Sequence, residues 1–118
     1  MSVGAERGRR GEELAAAYLA DRGYTLVARN YHSRYGEIDL IAENGVYLAF
    51  VEVKTRRGQR FSAPREAVTP AKQRRIRDTA LCYLEARPTA LQPRFDVAEV
   101  YLSQDGQGRV EYFENAFE

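Results

Sequence analysis

Residues 36–54 read Gly36-Glu37-Ile38-Asp39-Leu40-Ile41-Ala42-Glu43-Asn44-Gly45-Val46-Tyr47-Leu48-Ala49-Phe50-Val51-Glu52-Val53-Lys54, and this stretch decides the architecture. Gly36 to Glu43 alternates along an extended strand, with Glu37, Asp39 and Ile41 on one face and Ile38, Leu40 and Ala42 on the other. Asn44-Gly45 is a strong hairpin signal. Val46 to Lys54 follows as a strand so apolar that it belongs at the centre of a sheet. With Asn44-Gly45 as a two-residue loop, Asp39 faces Phe50 and Glu37 faces Glu52. Glu37, Asp39, Glu52 and Lys54 then share one face, with Asp39 and Glu52 as diagonal neighbours roughly 7–8 Å apart at Cβ.

Two carboxylates that close destabilise a sheet unless positive charge lies between them. Hard oxygen ligands at this spacing suit Mg²⁺ or Mn²⁺ better than zinc. Lys54 reaches the same volume, and a cation with an ammonium can bind a phosphate, orient a water and stabilise a pentacovalent transition state. Spacing alone leaves the alternative open that this face is ordinary solvated surface.

Working outward, a first helix is expected from about Gly8 to Arg22, stopped by Gly23, and a first strand over Tyr24 to Tyr31. Residues 55–68 form a loop, and Thr69-Pro70 places an N-cap and a first-turn proline on a second helix that runs to about Ala86. Arg94 to Leu102 is a fourth strand, and Arg109 to Phe113 a short edge strand. The order αβββαβ describes one α/β domain over residues 1–118 with a mixed central sheet flanked by helices. At 118 residues there is room for one core, and 44% hydrophobic with 30% charged residues excludes a disordered or fibrous chain. No apolar run approaches the roughly 18 residues of a membrane span. Without a secretory leader, and with Cys82 as the only cysteine, the expected compartment is cytoplasmic.

The formal charge of +1 conceals a strong asymmetry. Residues 54–77 hold Lys54, Arg56, Arg57, Arg60, Arg65, Lys72, Arg74, Arg75 and Arg77 against Glu66 alone, whereas residues 35–53 hold four acids and no base. A basic belt beside an acidic patch suits a polyanion handled with a cation. An Arg-rich solvated helix face would give the same tally, since sixteen of the eighteen basic residues are Arg. On a helical wheel at about 100° per residue, Glu12 flanks the apolar stripe of Leu14, Ala15, Tyr18 and Leu19, while Glu13 faces away. Glu12 is therefore the acid placed to approach the sheet, or else a first-turn carboxylate favoured by the helix dipole. Lys72 and Gln73 precede the stripe of Ile76, Ala80, Tyr83 and Leu84, and Arg74 and Arg75 are expected to point away from it. Polar groups there mark an anion nearby, or stems that cover the sheet edge. His32, the only histidine, reads as surface, which leaves no Ser-His-Asp or Cys-His set. Cys82 and Asp96 read as structural, and Tyr31 and Tyr35 as core aromatics or base-stacking platforms.

The motifs Gly36-Glu37-Ile38-Asp39-Leu40-Ile41 and Phe50-Val51-Glu52-Val53-Lys54-Thr55-Arg56 resemble the YraN-type family of small bacterial proteins. Gly8, Glu12, Gly23-Tyr24, Asn30, Val68, Lys72-Gln73 and Arg94-Phe95-Asp96-Val97 extend the resemblance over nearly the whole chain. That family is similar to the PD-(D/E)XK nucleases, nearest the archaeal Holliday-junction resolvases. The resemblance implies a restriction-endonuclease-like core with its active site on the central hairpin. It makes Asp39, Glu52 and the Val53 carbonyl metal ligands, and gives Lys54 the nucleophilic water or the developing charge. Glu12 would support the metal or its water, and Lys72 and Gln73 match the helix after the catalytic strand.

The combined expectation is an endonuclease dependent on Mg²⁺ or Mn²⁺ that cuts branched DNA. It would hold phosphates through Arg56, Arg57, Arg60, Arg65, Lys72, Gln73, Arg74 and Arg75, and act as a homodimer so that two symmetric cuts are possible. Neither a membrane nor a small-molecule cofactor enters this picture. The alternatives are a nucleic-acid binder without turnover and a scaffold that docks an acidic protein on residues 54–77.

Overall fold

The computed structural model describes residues 3–56, 68–105 and 107–118. Helix α1 (Val3–Asp21) leads into strands β1 (Thr25–Ser33), β2 (Gly36–Glu43) and β3 (Tyr47–Arg56), then helix α2 (Pro70–Ala86) and strands β4 (Gln92–Leu102) and β5 (Gly108–Phe117). The sheet order is β1-β2-β3-β4-β5. Strands β1, β2 and β3 run antiparallel, β3 and β4 are parallel, and β5 returns antiparallel to β4. This is the expected α/β architecture, a five-stranded mixed sheet with two helices and β3 at its centre.

Alternation along β3 divides the interior in two. Leu48 and Phe50 join Ile41, Val97, Phe117 and the stripe Ile76, Ala80, Tyr83 of α2 in one cluster. Ala49 and Val51 join Leu40, Ala42, Ala98, Val100 and the stripe Ala15, Ala16, Leu19 of α1 in the other. The sheet is thus covered by one helix on each face, which is why β3 reads as nearly continuous apolar sequence. Helix α1 ends at Gly23, whose φ of 87° supports two closing bonds, Gly23 N–H to the Ala20 carbonyl and Tyr24 N–H to that of Leu19. Helix α2 begins as expected, with the Thr69 hydroxyl accepting the Lys72 N–H at 3.2 Å and Pro70 in the first turn. Among the described residues no helix is long and apolar enough to cross a membrane.

The central hairpin departs from the expected register. Its pairs are Leu40↔Val51, Ile41↔Phe50, Ala42↔Ala49 and Glu43↔Leu48, so the bend is centred on Gly45-Val46 rather than on Asn44-Gly45, and the Asn44 N–H reaches the Tyr47 carbonyl at 3.2 Å. The Asn44 side chain explains this. Its Oδ1 accepts both the Val46 N–H (3.0 Å) and the Tyr47 N–H (2.8 Å), an Asx turn that moves the bend one residue along the chain. A shift of two preserves parity, so Leu40 and Ala42 stay opposite Ile41, but Ile38, expected on the Leu40 side, packs instead with Ile41 in the α2 cluster, beyond the point where the β2/β3 ladder ends. The shift also undoes the expected pairings of Asp39 with Phe50 and Glu37 with Glu52, and one step beyond Leu40↔Val51 puts Asp39 level with Glu52. A tight two-residue hairpin also lies at Arg34-Tyr35, between Ser33 and Gly36.

Strand β5 also runs four residues past its expected end at Phe113. Asn115 adopts φ 52° and its N–H reaches Asp96 Oδ1 at 2.9 Å. The ladder shifts there and resumes, pairing Phe117 with Phe95 and burying it. At that end of the sheet Asp96, wholly buried, takes two Arg94 nitrogens and the Tyr112 hydroxyl, while Arg94 also reaches the Tyr24 oxygen. This satisfied network confirms Asp96 as structural.

Candidate metal and phosphate site

The β2/β3 ladder stops at Leu40↔Val51, and there the Asp39 side chain takes over. Its Oδ2 accepts the Val53 N–H at 2.8 Å, bridging the two strands where the backbone pairing ends. Asp39 and Glu52 line the same cavity. Glu52 is only 6% exposed, and its Oε1 lies 2.5 Å from the Lys72 ammonium on the first turn of α2. Gly36, Glu37, Asp39, Glu52, Lys72, Arg75 and Ile76 line a cavity of about 150 Å³ over this point.

Burial disfavours the charged form of both acids. It raises Asp39 above its ordinary value, against the Val53 hydrogen bond and the Lys72 charge. It pushes Glu52 up to about 7, with the neighbouring Asp39 adding to the rise and Lys72 opposing it. Lys72 thus offsets the burial and mutual repulsion of the two acids only in part.

Glu12 approaches the same charges from α1. Burial raises its pKa first, the Asp39 carboxylate next, and a hydrogen bond from Asn30 opposes both. Gly11, its neighbour, explains the approach: a Cβ there would collide with the Thr55 hydroxyl on β3, so only glycine lets α1 come this near. Asn30 sits in β1 between the pairs Arg29↔Leu40 and Tyr31↔Ile38, level with Asp39, and holds φ 48°. A left-handed backbone inside a strand is a local strain, and here it belongs to the side chain that restrains Glu12.

Lys54 is half-buried on β3, aligned with Glu99 on β4 in the parallel register, and does not line the cavity. Glu99 is fully buried and its Oε2 meets Arg56 Nε at 2.5 Å, so Arg56 is engaged in an internal pair. Gln73 Nε2 donates to the Val68 carbonyl at 2.9 Å and pins the entrance to α2. Arg74 is exposed. Arg75 does not point away as the wheel implied: it is exposed yet borders the acidic cavity beside Gly36. Arg57, Arg60 and Arg65 lie outside the described residues. The structure thus brings together Asp39, Glu52, Glu12 and Lys72, and adds Asn30, Arg75 and Gly11, to which sequence reasoning gave no such place. A two-residue hairpin at Arg34-Tyr35 was the signal for Asn30, because it sets that residue opposite Asp39.

Among the described residues no three His, Cys, Asp or Glu side chains are close enough to hold a metal ion by themselves. Two carboxylates with remaining positions for backbone oxygen, water and phosphate fit Mg²⁺, which retains several waters and is seldom caged by protein alone.

Comparison with known proteins bears on the whole of this arrangement. Residues 11–100 match the uncharacterised protein family UPF0102. The chain belongs to that family. A UPF0102 protein of Symbiobacterium thermophilum is 51% identical over 111 residues, covering 93% of this chain and 94% of its own length. Those of Syntrophomonas wolfei (46% over 113 residues, 95% and 97%) and Geobacter sulfurreducens (45% over 112 residues, 94% and 88%) are similar over the same extent. UPF0102 is the YraN-type family of the sequence reading, and the match spans every residue of the acidic cavity.

Proposed function

We propose that this UPF0102 protein is a metal-dependent endonuclease of the PD-(D/E)XK type that hydrolyses DNA phosphodiester bonds, acting on branched DNA as a homodimer. The observation that carries the reading is that Asp39, anchored by the Val53 N–H, and the buried Glu52 line one cavity of about 150 Å³ with the Lys72 ammonium against them. Asp39, Glu52 and the Val53 carbonyl would hold Mg²⁺ or Mn²⁺. Once bound, the cation supplies positive charge to a phosphate in the cavity. Lys54, two residues beyond Glu52 on the same face, orients the attacking water and offsets the charge that develops on phosphorus. Glu12, restrained by Asn30, fixes water on the α1 side. Arg74, Arg75 and the basic residues of 57–67 hold flanking phosphates without regard to sequence, so affinity falls steeply with salt.

One observation favours a second reading, a nucleic-acid binder without turnover: Lys54 does not line the acidic cavity. The discriminating experiment incubates the protein with a four-way junction, single strands and plain duplex, in Mg²⁺ or Mn²⁺ and then in chelator. Metal-dependent cleavage that is lost in Asp39→Ala, Glu52→Ala and Lys54→Ala is expected. Tight binding with no cleavage in either metal would establish the binder instead.

A further inference from the structure

We propose that Lys72 is an exchangeable internal cation: it occupies the acidic pair in the metal-free protein, and an incoming divalent ion releases it to contact a DNA phosphate. The inference rests on the metal-site reading above and adds an order of events, metal first and phosphate second.

Four observations support it. Lys72 lies in the first turn of α2, where the helix dipole disfavours cations and the same turn holds no acid. Arg74 and Arg75 stand two and three residues further on, so the first two turns of its own helix set like charges near its ammonium. What holds it inward is the acidic pair, through the 2.5 Å contact to Glu52. The side chain nevertheless remains 41% exposed against 6% for Glu52, and its four-carbon stem can turn to water without unpacking the core. A divalent ion between Asp39 and Glu52 would remove the attraction and add repulsion. The ammonium would then move outward beside Arg75, at the rim of the same cavity. Two charged states of one pocket thereby couple metal loading to phosphate affinity.

The test is calorimetric titration of the full chain with Mg²⁺, using wild type, Lys72→Met, Lys72→Arg and Arg109→Met at equal ionic strength. Removing the competing ammonium should tighten Mg²⁺ binding about tenfold in Lys72→Met. Arg109→Met, an equal loss of charge on β5, should leave it unchanged. Lys72→Arg keeps the ion pair and should bind Mg²⁺ no tighter than wild type. In parallel, binding of a fluorescein-labelled four-way junction is followed against KCl, in EDTA and in Ca²⁺. Wild type should gain about one phosphate contact in its salt slope when Ca²⁺ is added, and Lys72→Met should not. If wild type binds Mg²⁺ and Lys72→Met binds it no tighter, or if Lys72→Arg gains as much as Lys72→Met, the exchange is overturned while the metal site stands. An undiminished Ca²⁺-dependent gain in Lys72→Met would overturn the handover to phosphate. If wild type has no affinity for Mg²⁺ or Mn²⁺, the metal site and the exchange fall together.

Discussion

Replacing Glu52 by Gln should abolish a loss of stability that the metal-free protein suffers as pH rises. The Glu52 carboxyl stands at about 7 in the folded chain against an ordinary 4.5. Between those values the folded state keeps a proton that the unfolded state has released. Because the native form binds the extra proton, stability is highest below the ordinary value and falls as pH climbs toward 7. The difference of about 2.5 pH units corresponds to roughly 3 kcal/mol. Asp39, displaced in the same direction by the same burial, steepens the loss. Glu52→Gln carries a permanent neutral surrogate of the protonated acid, and Lys72, already 41% exposed, can turn to water. Urea denaturation in EDTA at pH 5 and pH 8 is the assay. Wild type should lose stability between the two, the variant far less, and the two should differ most at pH 8. Mg²⁺ at pH 8 should restore wild type alone, since a ligand that binds only the native state adds stability by mass action. Parallel pH profiles, or a wild type that gains stability over this window, would show that Lys72 keeps Glu52 ionised throughout and would refute the charge-deficit argument.

Three further outcomes follow from the same geometry. Gly11→Ala should cost about 1–3 kcal/mol in denaturant stability, because the new methyl collides with Thr55 and pushes α1 from β3. Asn30→Gly preserves the left-handed backbone at φ 48° but frees Glu12. It should fold with little loss and lower DNA cleavage in Mn²⁺, whereas Asn30→Ala should also lose about 1 kcal/mol of stability. Arg94→Met leaves the wholly buried Asp96 without its cation and should cost about 3–5 kcal/mol, yet Mg²⁺ affinity of the folded fraction should match wild type, because this network lies away from the acidic cavity.

Much of the architecture was legible because it rests on local rules. The Thr69-Pro70 start of α2 and the Gly23 end of α1 are cap chemistry. The apolar run of β3 signals burial on both faces. The faces of Asp39 and Glu52 survived an error in register because side-chain direction depends only on parity. The error itself had a readable cause that the dipeptide obscured: Asn44 spends its side chain on the Val46 and Tyr47 amides, which centres the bend on Gly45-Val46. What escaped was set by long-range contact. The hold of Asn30 on Glu12 needs α1 and β1 to meet. The pairing of Lys72 with Glu52, rather than Lys54 with Glu52, needs α2 to be docked on the sheet. No periodicity in one chain encodes which of two lysines arrives first.

The account stands most directly on where a divalent ion goes. A crystal equilibrated with Mn²⁺ and measured at a wavelength that reports manganese should show one anomalous peak between the Asp39 and Glu52 carboxylates, with the Lys72 ammonium withdrawn from Glu52. No peak there at millimolar Mn²⁺, with Lys72 still seated on Glu52, would contradict it.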